Sequence, residues 1–179
     1  MVNGMANMAN DEPVSAVDRT RDQVRQRWDA WQAPGGDNVI VFADGSLSLM
    51  DYPLDGSSSS SSSSSSSEIL RATAWTVEDW IDVDTVLAQH AYAGSRAFAG
   101  GAAAHGSIGW VALTRDDDDR TLEWLAVCPW SDPFAEVTLD GSTLTAVTTS
   151  GSVWRFPRDR PQRVAIGGPG SAGTSVNAP

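Results

Sequence analysis

Between Ser107 and Phe156 short apolar runs alternate with turn residues, and this stretch constrains the fold more than any other. Ile108 to Leu113, Thr121 to Cys128, Ala135 to Leu139, Thr143 to Thr148 and Val153 to Phe156 all have strand character, with Arg163 to Ile166 as a further candidate. Turn chemistry falls between them at Asp116 to Asp119, Ser131-Asp132-Pro133, Asp140-Gly141 and Ser150-Gly151. Connections this short join neighbouring antiparallel strands, so a β-meander is expected. Ala135, Val137 and Leu139 alternate with Glu136 and Thr138, which gives one buried and one wet face. Leu122 to Val127 is apolar on both faces and is therefore placed centrally, covered on each side.

Upstream, Ser15 and Asp18 form a capping pattern, and Val17, Val24, Trp28 and Trp31 follow at helical spacing. The spacing predicts a helix from Ala16 to Gln32, stopped by Pro34-Gly35-Gly36. Val39 to Phe42, Asp44-Gly45, and Leu47 with Leu49 read as a β-hairpin. Ile69 to Trp75 reads as a short strand. Thr76 with Asp79 opens a helical pattern carried by Trp80, Val83 and Leu87 and interrupted by Asp82 and Asp84, which reads either as one bent helix or as two short ones, the second capped by Asp84 and ended by Gly94. The region from Ala97 to His105, rich in alanine and glycine, reads as a loop.

The expected class is therefore α+β: an antiparallel meander of about six to eight strands, one N-terminal helix, and one or two helices before the meander. In domain terms, residues 1–14 form a disordered start, 15–56 a helix plus hairpin, and 68–166 the main domain, with a disordered tail over 167–179. Eleven serines, Ser57 to Ser67, make a flexible loop or linker spanning roughly 17 to 20 Å. The phrases Asp44-Gly45-Ser46, Asp140-Gly141-Ser142 and Ser150-Gly151-Ser152 resemble the hairpins of propeller blades, but their spacing is irregular and too little strand is present for such a ring.

Charge and residue usage narrow the function. The 179 residues carry a net charge of -11, all twelve basic residues are arginine, and Asp outnumbers Glu eighteen to five. A coding bias or salt adaptation would each produce this fingerprint. The charge is uneven: 1–67 carries -5, 68–140 carries -9 and 141–179 carries +3. An acidic surface repels phosphates, so no nucleic-acid partner is expected. No apolar run is long enough to span a bilayer and no secretory leader is visible, so no membrane partner is expected and the cytoplasm is the expected location.

Lysine is absent, which removes P-loop, Schiff-base and kinase-type chemistry. Gly106-Ser107-Ile108-Gly109 is not a nucleophile elbow. His90, His105 and Cys128 do not form a zinc motif, and no metal or cofactor is expected. Cys128 reads as a small buried apolar residue.

What remains is recognition. Glu78, Asp79, Asp82 and Asp84 form one acidic cluster, and Asp116, Asp117, Asp118 and Asp119 another. Of eight tryptophans most should be core, whereas Trp130, between Pro129 and the Ser131-Asp132-Pro133 turn, is placed where an aromatic can anchor a partner. These residues point to a small non-enzymatic binding protein for a basic protein partner, analogous in charge and size to acidic bacterial immunity proteins. The competing expectations are a carboxylate-based hydrolase using Asp79, Glu123 and His105, and an accessory domain of a larger assembly.

Overall fold

The computed structural model of the chain describes residues 16–36, 38–50, 79–102 and 108–168. The expected disordered start, the Ser15 cap, the serine tract, the strand over Ile69 to Trp75, Thr76, Glu78, His105 and positions 169–179 of the expected tail lie outside the described residues, whereas Gly167, at the start of that tail, is the last residue of a strand.

Helix α1 (Ala16–Asp29) is followed by β1 (Gln32–Pro34), β2 (Val39–Phe42) and β3 (Leu47–Leu49). Then come β4 (Trp80–Asp82), β5 (Thr85–Tyr92), β6 (Ser95–Gly101), β7 (Ile108–Arg115) and β8 (Leu122–Pro129). The last four strands are β9 (Phe134–Leu139), β10 (Thr143–Thr148), β11 (Val153–Pro157) and β12 (Ala165–Gly167). Helix α1 starts where the periodicity places it and ends at Asp29, because Trp31 turns into the left-handed region with φ 56° and its N–H closes the last turn on the Trp28 carbonyl.

The strands form a six-stranded sheet in the order β3-β2-β8-β7-β6-β5, a four-stranded sheet in the order β12-β11-β10-β9, and the small ribbon β1-β4, all antiparallel. The hairpin that precedes the serine tract belongs to the same sheet as the strands that follow it, since Ile40, Val41 and Phe42 pair with Ala126, Leu125 and Trp124. Strand β8 is central and buried on both faces, as its apolar run requires.

Two cores result, one on each face of the six-stranded sheet. On one face, Val111, Leu113, Trp124 and Ala126 meet Phe134, Leu144, Trp154 and Phe156 of the smaller sheet. The aromatic rings there run in series: Trp124 to Phe156 at 5.9 Å, Phe156 to Trp154 at 6.1 Å and Trp154 to Phe134 at 5.5 Å between centroids. On the opposite face, Val24 and Trp28 of α1 cover Val41, Phe98, Trp110 and Leu125. Trp28 and Trp31 both pack edge-on against Phe98, at 6.3 and 5.8 Å. The two sheets are joined at one corner by side chains rather than by a ladder: the Leu139 N–H donates to His90 Nδ1 at 3.0 Å, and Arg158 donates to Ser95 Oγ at 2.6 Å.

Three expectations are corrected. The single meander is two sheets plus a ribbon, because the chain leaves β8 through a turn in which Trp130 and Asp132 are both left-handed (φ 68° and 61°), and β9 begins a second layer. The helices expected between Thr76 and Gly94 are instead, in the described residues, strands β4 and β5. Their apolar residues fit both periods, and Ala93-Gly94 (φ 49° and 78°) is a two-residue hairpin turn, not a helix cap. The loop expected over Ala97 to His105 is, as far as Gly101, strand β6. Its small residues serve close packing: a side chain at Gly100 would run into the Thr85 carbonyl where β5 bulges between Val86 and Ala88.

Candidate functional site

Register decides which of the sequence-derived residues share a surface. β5 and β7 run in the same direction, and both are antiparallel to β6. Thr85, Gly101, Gly109 and Cys128 therefore lie level at one end of the six-stranded sheet, and Tyr92, Ser95 and Arg115 at the other. Six residues of strand separate the ends, about 20 Å at roughly 3.3 Å per residue.

The first end carries Trp130, which follows β8, and Asp82 and Asp84, which precede β5. The second carries Asp116, Asp117, Asp118 and Asp119, in the turn after β7. The two acidic clusters are thus not brought together; Asp82 and Asp84 share the tryptophan's end of the sheet, but β4 packs on the helix-covered face through Trp80, Ile81 and Val83, whereas the chain after Trp130 crosses to the opposite face at Phe134. Asp79, at the head of β4, accepts the Gly35 N–H on its carbonyl at 2.8 Å, and Gly35 leads into β2 at this same first end. Glu78 is outside the described residues.

The two ends differ in how their charge is compensated. At the second end Asp116 takes both Nε (2.9 Å) and Nη2 (2.6 Å) of Arg96 on one oxygen. Asp117 accepts the Thr121 N–H at 2.8 Å, a bond that holds its carboxyl below the usual carboxylate value and closes the turn. Arg120 is anchored over α1: its carbonyl accepts from Trp28 Nε1 at 2.9 Å, and its guanidinium lies 4.2 Å from the Trp31 ring centre. Asp119 borders a groove of about 450 Å³ floored by Val24, Trp28 and Leu122, which Arg25 and Arg120 also line. Of the four acids, Asp116 is thus ion-paired and Asp117 hydrogen-bonded within the chain.

At the first end the direct donors to the acids are neutral, although Arg27 stands behind Asp82, donating to the Gln32 side-chain oxygen at 2.8 Å. Asp82 accepts from the Gln32 amide at 3.1 Å and Asp84 from the Thr85 hydroxyl at 3.4 Å. Among the described residues neither forms an ion pair, nor do Asp79 and Asp132.

Trp130 is 80% exposed, the most exposed of the large apolar side chains in the described residues. The backbone that carries it is held by the residues that follow. The Ser131 N–H donates to the Cys128 carbonyl, and Ser131 Oγ lies 2.8 Å from the carbonyl oxygens of both Cys128 and Asp132. The turn is seated on Gly109, where a side chain would collide with the Asp132 carbonyl, Ser131 Oγ and the Phe134 ring. A left-handed backbone at a tryptophan is costly and persists only where surrounding contacts over-determine it. Leu87 and Val86 of β5, 49% and 37% exposed, add apolar surface near the start of β5, at the same end.

In the sequence Asp132 stands out only as a turn residue. Its place between Ser131 and Pro133, two residues from an exposed tryptophan, is the signal that marks it. Of the hydrolase candidates, Asp79 sits near the start of β2 whereas Glu123 sits level with its end, beside Trp124, and His105 is outside the described residues. Asp79 and Glu123 therefore do not face one cleft. Cys128 is wholly buried and its thiol is pushed up by desolvation, so it is no nucleophile. Among the described residues no group of three histidine, cysteine or acidic side chains is disposed to hold a metal, and no helix is long and apolar enough to cross a membrane. No protein-family model matches the chain, and no match was found among curated proteins or solved structures.

Proposed function

We propose that the chain is a non-enzymatic binding protein that engages a basic protein partner through the end of the sheet bearing Trp130, Asp82, Asp84 and Asp132. The observation that carries this reading is the exposed Trp130 held in a left-handed, tightly seated turn. A turn whose backbone is already fixed loses little entropy on docking, and tryptophan is enriched among interface hot spots. The carboxylate of Asp132, which forms no ion pair among the described residues, together with a net charge of -11, favours a cationic partner and speeds its approach. The cluster at Asp116 to Asp119 contributes to the long-range field, while direct contact falls to the opposite end.

The test places a photo-crosslinking amino acid at Ala135, exposed on β9 just beyond the turn, and identifies the captured protein. The reading expects a partner of net positive charge whose affinity falls steeply with ionic strength and depends on Trp130. A captured partner that is neutral or acidic, or an affinity indifferent to salt, sinks it.

A further inference from the structure

We infer that Trp130 is the seat for an arginine side chain of the partner, an inference that rests on the partner-binding reading above. Seven tryptophans fall in the described residues, and four of them, Trp28, Trp110, Trp124 and Trp154, are buried. The other three reach solvent, and two of these are each faced by an arginine of the same chain: Arg120 stands 4.2 Å from the Trp31 ring centre and Arg27 stands 5.3 Å from that of Trp80. Trp130, far more exposed than either, has no cation over its ring among the described residues.

The local chemistry selects arginine over lysine. A guanidinium is planar and weakly hydrated, so it stacks on an indole face while its edge still donates to carboxylates, whereas an ammonium gives up a tight hydration shell. Asp132, two residues on and itself left-handed at φ 61°, supplies the acceptor next to Trp130. Asparagine tolerates the left-handed region, so Asp132→Asn removes the charge without releasing the turn.

The experiment is fluorine NMR on the full chain labelled with 5-fluorotryptophan, with the Trp130 resonance assigned by its loss in Trp130→Phe. The probes are hexa-arginine, hexalysine and hexacitrulline peptides. The seat requires a saturable shift of the Trp130 resonance with hexa-arginine, clearly weaker binding of hexalysine, and no shift with hexacitrulline. Asp132→Asn should weaken hexa-arginine binding by roughly two- to fivefold. An unmoved Trp130 resonance, or equal binding of arginine and lysine peptides, overturns the inference. So does a Trp130 shift that grows with protein concentration alone and accompanies dimer formation in sedimentation, which would assign the seat to a second copy of the chain. An unmoved resonance alongside a cross-linked basic partner that still needs Trp130 removes only the arginine seat and leaves the binding reading standing.

Discussion

Replacing Gly109 by alanine should destabilise the fold by about 2 to 4 kcal/mol, and the reasoning is purely steric. Gly109 does not adopt the left-handed region, so alanine suits its backbone and carries no conformational penalty. The added methyl would be 2.8 Å from Phe134 Cδ2 and closer still to the Asp132 carbonyl and Ser131 Oγ. The turn must therefore withdraw by about 1 Å to recover ordinary contact. Overpacking of this kind costs about 1 to 3 kcal/mol, and loss of the Ser131 hydroxyl bond to Cys128 adds about 1 kcal/mol. Gly141→Ala is the internal control: a side chain there meets nothing within 4 Å and the backbone is not left-handed, so it should be neutral or stabilising by up to about 1 kcal/mol. Urea unfolding followed by circular dichroism measures both. A Gly109→Ala protein within about 0.5 kcal/mol of the parent would mean that the Trp130 turn is not seated on β7, and the rigidity argument would go with it.

Other outcomes follow from the same contacts. His90→Ala leaves the Leu139 N–H without its acceptor and should cost about 1 kcal/mol, with faster hydrogen exchange at that one amide as the local signature. Asp117 and Asp140 are both held below the ordinary value of 3.8 by backbone N–H donors, so their contribution is present above about that pH and lost as the pH falls through their lower folded values. The double variant Asp117→Asn, Asp140→Asn should therefore flatten the acid-side stability profile in pH-dependent urea titrations, and an unchanged slope would remove the role given to these turns. Cys128 should resist alkylation in the native protein and react fully once urea unfolds it, whereas rapid native labelling would place it outside the core.

The later half of the fold was legible because its strands obey simple rules: alternation at Ala135 to Leu139, a double-sided apolar run at Leu122 to Val127, and Asp-Gly or Ser-Gly turns between. β5 hid because seven of its eight side chains are exposed, which erases the alternation that marks a strand. β6 hid because a strand squeezed between two layers needs Ala97, Ala99 and Gly100, residues whose composition suggests a loop. Pairing of β2 with β8 joins segments more than eighty residues apart, and nothing local encodes it. The site was half legible. Trp130 could be singled out by its place in a turn, but its company depends on strand register, which separates Asp116 to Asp119 from Asp84 by the length of the sheet.

On the proposal above, the fold holds Trp130 out as an anchor for a basic partner rather than as part of its own core. Trp130→Ala removes a side chain that is 80% exposed, so thermal unfolding should shift little, by no more than about 0.5 kcal/mol in stability. Binding of the cross-linked partner to this variant, measured by titration calorimetry at low salt, should weaken by at least about tenfold, the loss of a typical hot spot. Parent-like affinity in a folded Trp130→Ala protein would contradict the account.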